Sequence, residues 1–514
     1  MRKLSEATWF SNAFAVCCGI WGKITELAAE NQCSRQTAYR QAAIAREALD
    51  RRRDPRYEDL LAQKHSLAQE NCELWKAFAD SFQFPECRRI EFAARATAMG
   101  ISLSQIQELL AVVMGTAQAP SRSQVGRWVQ EVARKAGEVL KILDQVTRTL
   151  AVCVCLDEIF FRRDPVLVVV EPHSMAWLAG ERTADRSGTT WHRVLRPFQN
   201  VEMAVSDAGT GLQKGLRDWD AERQRAGAPA VQSSLDIFHT DKEAQPVLAS
   251  NWKKAEALWE RAEACDRKVA QCEQQGRDAR GAVCAARCAW QTAQNAFHAA
   301  EAEDAVWDRA KTAFSLFLPD GTLNTEASAR KELQAIGNLL PGDRWAKVRR
   351  MLEDPRALTF LTRMQEQLDL TEPNAALRAE LLRLKWLRAK FRDPQNDAAR
   401  LTSLIAVQET ICYKLCPDWN TSYECLAQVL QTTVRASSAV ECMNSVIRMH
   451  QARHRNLTQP LLDLKCLYWN TRRFRAGKRK ATSPYTLRGL KLPVMDFWSL
   501  LNTDPPTLTQ QLST

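Results

Sequence analysis

Long apolar runs are missing from the 514-residue chain: none approaches the ~20 residues that a membrane-spanning helix needs. The residues after Met1 also lack a clear apolar core followed by a small-residue cleavage site, so we expect no signal peptide. These two absences argue against a membrane-spanning or secreted protein.

The chain also has no C-x-x-C pair, although it contains 16 cysteines. Zinc ribbons and thioredoxin-like redox sites require that spacing, so neither kind of site is indicated. Cysteines dispersed in this way usually act as small apolar residues in a protein of a reducing compartment.

The chain has fewer acidic than basic residues: 60 Asp and Glu against 71 Lys and Arg, which gives a net charge of +11. The segment 435–480 holds eleven Lys or Arg but only two acids, Glu441 and Asp463. Aromatic residues interleave with the arginines at its end, which favours a nucleic-acid contact over a solvated charge run. A polyanionic partner such as DNA is therefore expected.

The N-terminal residues 1–56 predict a helix-turn-helix domain, carried by 24–46. An apolar helix face is followed by a short link, and Ser34 is a good N-cap for the next helix. An ordinary helical hairpin is the alternative. The polar first turn of the second helix suits base edges in a major groove, so we expect DNA contacts there: Arg35, Gln36, Thr37, Tyr39 and Arg40.

Residues 57–149 predict a connecting helix, over 57–80, and a second helix-turn-helix unit. Ser121 is a plausible cap for its last helix. The apolar face of that helix, with Val125 and Trp128, is more typical of a core than of a contact surface. Its polar side is expected to contact DNA through three residues: Arg122, Gln124 and Arg127.

From residue 150 the pattern changes to short apolar runs rich in valine, which predict strands. The expected order is β-β-β-α-β-α-β, and it implies a mixed five-stranded α/β sheet. The strands are expected at 151–161, 165–171, 174–181, 201–209 and 232–240, with a helix capped near Ser187.

Two of these strands carry acid at their ends. Asp157 and Glu158 follow the first apolar run, and Asp207 ends the fourth strand. In a ribonuclease-H-like sheet these two strands are neighbours, so Asp157 and Asp207 would lie close together. Such carboxylates repel one another unless a cation lies between them, and hard oxygen ligands suit Mg²⁺ or Mn²⁺.

A site of this kind needs a third carboxylate, and Glu441 is the best candidate. It lies near the start of an expected helix among apolar residues that would pack on the sheet. The alternative is a capping-box glutamate, since Ser438 and Glu441 fit S-x-x-E. Local sequence leaves both interpretations open.

Together these segments resemble the DDE transposases, in the branch that includes Mutator-type and hAT-like elements and related bacterial insertion-sequence enzymes. The resemblance covers about 150–245 and 430–475, within the expected core segments 150–245 and 426–480, and implies a ribonuclease-H-like fold. It also implies that Asp157, Asp207 and Glu441 form a catalytic triad holding two Mg²⁺ (or Mn²⁺) ions. The motifs that carry it read "CLDEIFF", "VSDAGTGLQKGL", "LDIFHTDKEA" and "RASSAVECMNSVIR".

That family often has C-x-x-H after the second aspartate, whereas this chain has Asp236 and His239 at that spacing. Asp236 therefore competes with Asp207 as the second ligand. Asp207 is preferred because a loop and a helix follow it. Asp236, His239 and Glu158 are expected beside the metal ligands, where His239 either orients a ligand or the phosphate, or is an ordinary buried histidine.

Between the two core segments, 246–425 predicts an all-helical insertion that begins with an antiparallel hairpin whose seam is rich in alanine. One later helix is expected over 326–352. The final residues, 481–514, are expected to form a C-terminal tail with one short docking segment.

The resemblance implies a transposase that cuts at transposon ends and joins them to target DNA. Its expected partners are double-stranded DNA, at terminal inverted repeats and at the target, and further copies of itself in a dimer or larger oligomer. We expect a prokaryotic cytoplasmic, nucleoid-associated protein. A domesticated DNA-binding regulator and a nuclease without strand transfer are the alternatives. Phosphate contacts are expected from Arg448, His454, Arg455, Arg472 and Arg473.

Overall fold

The N-terminal helices form one unit, Met1–Pro85, and the remainder, Glu86–Thr514, forms a second. The computed structural model describes residues 5–19, 22–51, 55–81, 84–393, 396–453 and 457–513. The helices of the first unit are α1 Glu6–Cys17, α2 Lys23–Glu30, α3 Arg35–Arg51 and α4 Pro55–Ser81.

The link between α2 and α3 has the predicted form. Ser34 accepts a hydrogen bond from the backbone N of Thr37 at 3.2 Å, so it caps α3. Ala38 and Ala42 are buried against the neighbouring helices. The residues expected to contact DNA lie in the first two turns of α3: Thr37 is half-buried, and Arg35, Gln36, Tyr39 and Arg40 are exposed.

The second unit begins with three helices, α5 Glu86–Ala98, α6 Leu103–Met114 and α7 Arg122–Thr147. Ser121 caps α7, as predicted, by accepting from the backbone N of Gln124 at 3.2 Å. Val125 and Trp128 are buried, which confirms that this face of α7 is core. Arg122 and Arg127 remain exposed on the opposite side.

The predicted mixed five-stranded sheet is confirmed, with strand order β3-β2-β1-β4-β5. β1 is antiparallel to β2 and parallel to β4. β2 is antiparallel to β3, and β4 is parallel to β5. The strands are β1 Cys153–Phe161, β2 Asp164–Glu171, β3 Ala176–Arg182, β4 Met203–Ser206 and β5 Gln232–Leu235.

Helix α8, Gly188–Leu195, joins β3 to β4, and helix α9, Thr210–Arg225, joins β4 to β5. Ser187 caps α8, as expected. After β5 the chain enters a long run of helices: α10 Ile237–Gln274, α11 Arg280–Ala313, α12 Glu326–Leu339, α13 Ala346–Glu353, α14 Thr359–Thr371, α15 Ala375–Phe391, α16 Ala398–Leu415 and α17 Trp419–Thr432.

The helix expected over 326–352 is two helices, α12 and α13. Pro341 and Gly342 lie between them, and Gly342 has a φ of 71°. Proline lacks the N–H that a continuing helix requires, and the left-handed backbone at glycine ends the helical path.

The chain then returns to the sheet with α18 Ser438–Arg453 and α19 Gln459–Thr471. The segment expected as a tail contains three short helices, α20 Pro484–Leu487, α21 Phe497–Asn502 and α22 Pro505–Ser513. They pack on α7, α19 and β3, and Tyr485, Phe497 and Leu508 are buried. Burial of these apolar side chains explains why this segment is ordered.

The sheet lies between two helical layers. One face buries Val154 and Leu156 of β1 against the tryptophans of α8 and α9, Trp191 and Trp219. The other face packs on α18 and α19. There Asn470 of α19 accepts from the backbone N of Trp177 at 2.9 Å and donates to its carbonyl at 2.8 Å.

The predicted antiparallel hairpin is formed by α10 and α11. Small side chains fill its seam, which allows the two long helices to approach closely. The seam alanines are buried: Ala255, Ala262, Ala286, Ala293 and Ala300.

Replacing Ala293 with Leu should lower the free energy of unfolding by about 1–3 kcal/mol, because the seam has no room for a larger side chain. Ala299→Leu is the matched control, since Ala299 is exposed on the same helix. Chemical denaturation measures both variants. Equal, small effects would contradict the packing of the seam.

Among the described residues, no helix combines the length and the apolarity required to cross a bilayer.

Candidate metal centre

Asp157 and Glu158 are adjacent on β1 but point to opposite faces of the sheet, because side chains alternate along a strand. Glu158 lies on the face that packs on α8 and pairs with Arg186. Asp157 lies on the face that packs on α18. It accepts from Asn444 of that helix at 2.6 Å and from the backbone N of Glu158 at 2.8 Å.

The sequence predicts that the first strand carries these acids at its end, but β1 continues past Asp157 and Glu158. It continues to Phe161, because its antiparallel pairing with β2 extends that far. Only the parallel pairing with β4 stops earlier, at Leu156 opposite Ser206. Asp157 and Asp207 therefore each follow the last residue of the same parallel pair, which brings them together as predicted.

Asp207 lies in the loop between β4 and α9. Its Oδ1 accepts from the backbone N of Gly209 at 2.9 Å. A Cβ atom at position 209 would lie 2.9 Å from that oxygen, so this tight turn favours glycine. The turn fixes the direction of the carboxylate.

The fifth strand was predicted to run to residue 240, and that prediction is wrong. β5 ends at Leu235, and α10 starts at Ile237. The reason is Asp236, whose Oδ1 caps the helix by accepting from the backbone N of Phe238 at 2.9 Å. His239 consequently lies in the first helical turn, on the side that faces Asp157 and Asp207.

Asp157, Asp207 and His239 form one cluster, called the acidic group below, and Asp236 is not a member of it. Asp157, Asp207 and His239 each offer one ligand atom, and these atoms lie within 4.8 Å of one another. All three come from different elements: β1, the β4–α9 loop and α10. Such a group can hold a metal ion.

Asp236 instead holds the ring of His239, which belongs to this group. Its Oδ2 lies 2.5 Å from Nδ1 of His239 and also accepts from the Ser437 hydroxyl, while the backbone N of Ser437 donates to Oδ1 at 2.9 Å. With Nδ1 bonded to a carboxylate, Nε2 is the nitrogen of His239 that can bind a metal. A carboxylate behind a histidine is a common arrangement at metal sites.

Glu441 lies in the first turn of α18, beside this group. Its Oε1 is 3.9 Å from Nε2 of His239 and 4.0 Å from Nζ of Lys242, and its Oε2 is 3.8 Å from Arg448. The capping-box alternative is wrong. Ser438 is already inside the helix, and Oε1 of Glu441 is buried with no hydrogen-bond partner among the described residues.

Two residues at this site were not singled out from the sequence. Asn444 lies one turn after Glu441 on α18, and its i, i+3 spacing is the signal that could have revealed it. Ser437 precedes α18 and ties it to Asp236 of the first core segment. Neither residue type is acidic, so a search for carboxylates passes over both.

The electrostatics of the group follow from burial and crowding. Burial raises the pKa of Asp157 to about 6; the nearby charge of His239 counters this, and Glu441 and Asp207 add to it. Burial alone would lower the pKa of His239, but the hydrogen bond to Asp236 and the surrounding carboxylates raise it above its ordinary value. The site concentrates negative charge that a cation would neutralise.

The donor set fits a hard divalent cation. It combines carboxylate oxygens and one imidazole, and it also includes two buried oxygens without a hydrogen-bond partner among the described residues, Glu441 Oε1 and Asn444 Oδ1. Unpartnered buried oxygens are costly unless something binds them. Asp157, Asp207 and His239 are the residues that could hold a metal ion, and Glu441 lies beside them.

A cavity of about 390 Å³ opens next to the group and is lined by Asp207 and His239. Two cations of the helical insertion, Lys347 and Arg350 of α13, form part of its wall. Lys347 pairs with Glu243 at 2.6 Å. The insertion thus contributes positive charge to the cavity beside the acids.

The residues expected to contact phosphate are dispersed. Arg448 lies beside Glu441, whereas Arg472 and Arg473 are exposed after α19. His454 and Arg455 lie outside the described residues. Lys465, which belongs to the same basic segment, is buried, so that segment is not one continuous surface strip.

No model of a known protein family matches the chain, and no curated protein matches its sequence.

Proposed function

We propose that this protein is a metal-dependent DNA transposase of the DDE type, built on a ribonuclease-H-like core. One observation carries the proposal: acids from distant parts of the chain, Asp157, Asp207 and Glu441, meet with His239 at one end of the sheet. Packing alone gives no reason to gather three carboxylates on α18, β1 and the β4–α9 loop, since their mutual repulsion costs stability.

The sheet supports the same conclusion. A ribonuclease-H-like core requires the first and fourth strands to be neighbours, and β1 pairs with β4 in parallel. It also requires the last helices to return to the sheet after any insertion, as α18 and α19 do. Fold alone does not define activity, so the proposal depends on the site.

Each residue has a defined task in this function. Asp157 and Asp207 would hold the metal ions, with His239 and Glu441 in the ligand set. Asp236 fixes the ring of His239, and Asn444 fixes the carboxylate of Asp157. Bound divalent ions would activate an attacking oxygen and stabilise a leaving one on phosphorus. Lys347 and Arg350 are placed to bind the DNA backbone at the adjacent cavity.

The helices α2 and α3 supply sequence recognition in this proposal. The exposed side chains in the first turns of α3, among them Arg35 and Arg40, suit a major groove. The terminal inverted repeats are the expected target of this unit, and two bound ends require at least two copies of the protein.

The test is a cleavage and joining assay. A labelled duplex that carries the inverted repeats flanking the coding sequence is incubated with the protein and Mg²⁺ or Mn²⁺, beside Asp157→Ala and a metal-free control. We expect nicks at the repeat ends and joined products, both of which require metal and Asp157.

Other outcomes assign other functions. Nicks without joined product would identify a nuclease and contradict strand transfer. Specific binding of the repeats with no metal-dependent product would identify a DNA-binding regulator and contradict catalysis.

A further inference from the structure

A second cavity, of about 790 Å³, lies in the larger unit on residues that take no part in the acidic group. Residues of α5, α18 and α19 and of the segments after α19 line it. Four aromatic residues line it: Tyr468 and Phe474 are half-buried, and Trp469 and Phe497 are buried. A cavity of this volume is large enough for a small organic ligand.

Lys465 is the buried lysine of this cavity, which His450 and Thr471, also buried, line with it. Its side chain is 3% exposed, and its Nζ donates to the carbonyl of Thr97 at 2.9 Å and to Nδ1 of His450 at 2.7 Å. Neither partner is a carboxylate, and no carboxylate of the described residues forms an ion pair with Lys465. Burial lowers the pKa of Lys465 to about 7. An anion bound in the cavity would stabilise the charged form of Lys465.

The rest of the cavity is also positively charged. Arg472, Arg473 and Arg475 line it, and none of them forms an ion pair with a carboxylate of the described residues. Arg472 stacks on Trp469, with its guanidinium carbon 3.8 Å from the ring centroid. The one lining acid, Asp496, is already bound to Arg95 at 3.1 Å and caps α21.

We propose that this cavity binds a nucleotide, with its phosphate near Lys465 and the arginines and its base against the aromatic side chains. Inorganic phosphate would satisfy the cations but would leave the aromatic surface bare. An uncharged aromatic ligand would leave Lys465 without an anion. A nucleotide supplies both parts, because phosphate forms charge-assisted hydrogen bonds and bases stack on aromatic rings. The nucleotide comes either from solution or from a DNA strand. This inference does not depend on the metal centre.

The experiment measures binding to the full-length protein by calorimetry in the presence of EDTA, which removes divalent metal. The probes are dAMP, deoxyadenosine without phosphate, and a single-stranded deoxyadenylate pentamer. We expect dAMP to bind at least about 10-fold more tightly than deoxyadenosine, because the nucleoside lacks the charged hydrogen bonds. If only the pentamer binds in a manner that depends on Lys465, the ligand is a nucleotide within a DNA strand.

The variants are Lys465→Met and Arg472→Gln, with Lys478→Met as the matched control. Lys478 is exposed in the same part of the chain and does not line the cavity. We expect Lys465→Met to weaken binding at least about 10-fold and the control to leave it within about 2-fold. Lys465 is buried, so its replacement could prevent folding. In that case Arg472→Gln, which changes an exposed residue, tests whether the cavity binds the nucleotide. Binding that is absent, or unchanged in both cavity variants, would overturn the proposal.

Discussion

Replacing Asp157 with Asn should lower metal-dependent DNA cleavage by about 10³-fold, which corresponds to about 4 kcal/mol of transition-state stabilisation. The amide keeps the shape of the side chain but removes the negative charge that binds the metal. The same variant should weaken Mn²⁺ binding, measured by calorimetry, at least about 10-fold. Cleavage of end-labelled DNA under single-turnover conditions measures the first effect.

Glu158→Gln is the matched control, because it removes an identical charge from the adjacent residue. Glu158 points to the opposite face of β1 and pairs with Arg186, which is more than half exposed. The Glu158 side chain is 7% exposed, and its carboxylate is not among the ligand atoms of the metal group, so cleavage should stay within about 3-fold of wild type. If Glu158→Gln abolished cleavage while Asp157→Asn did not, Glu158 would be the ligand and the assignment of Asp157 would be wrong.

The sequence predicts the meeting of Asp157 and Asp207 because it depends on strand order alone. Once β1 and β4 are neighbours and parallel, residues that follow the same paired positions must lie side by side. The position of Glu441 beside them follows only from the family resemblance, since an insertion of 180 residues, 246–425, separates the two core segments. No local pattern could distinguish it from a capping glutamate.

Other features depend on side-chain contacts that the apolar pattern does not contain. The run at 232–240 is predicted as a strand, but the side chain of Asp236 caps a helix, and the strand ends at Leu235. A count of charges places Lys465 in a surface strip, whereas the fold of α19 against α5 and α18 buries it. The cap at Asp236 is local, whereas Lys465 meets the carbonyl of Thr97, which is distant in sequence.

Replacing Asp236 with Asn should weaken Mn²⁺ binding by about 10–100-fold and lower the free energy of unfolding by about 1–3 kcal/mol. Oδ2 of Asp236 accepts from Nδ1 of His239 and from the Ser437 hydroxyl. An amide NH₂ at that position donates instead of accepting. Nδ1 of His239 must then accept, which moves the ring proton to Nε2 and blocks the nitrogen that faces the metal ligands. Calorimetric Mn²⁺ titration and urea denaturation measure the two effects.

Two comparisons separate the orientation of His239 from the structural role of Asp236. Ser437→Ala removes one hydrogen bond to Asp236 but leaves His239 in place, so it should cost about 1 kcal/mol of stability and change Mn²⁺ affinity little. His239→Ala should weaken Mn²⁺ binding as much as Asp236→Asn, and the double variant should be no weaker than either, because both changes remove the same ligand. An Asp236→Asn protein that lost stability but bound Mn²⁺ like wild type would show that Asp236 only joins α10 to α18. Additive losses in the double variant would show that Asp236 acts on the metal independently of His239.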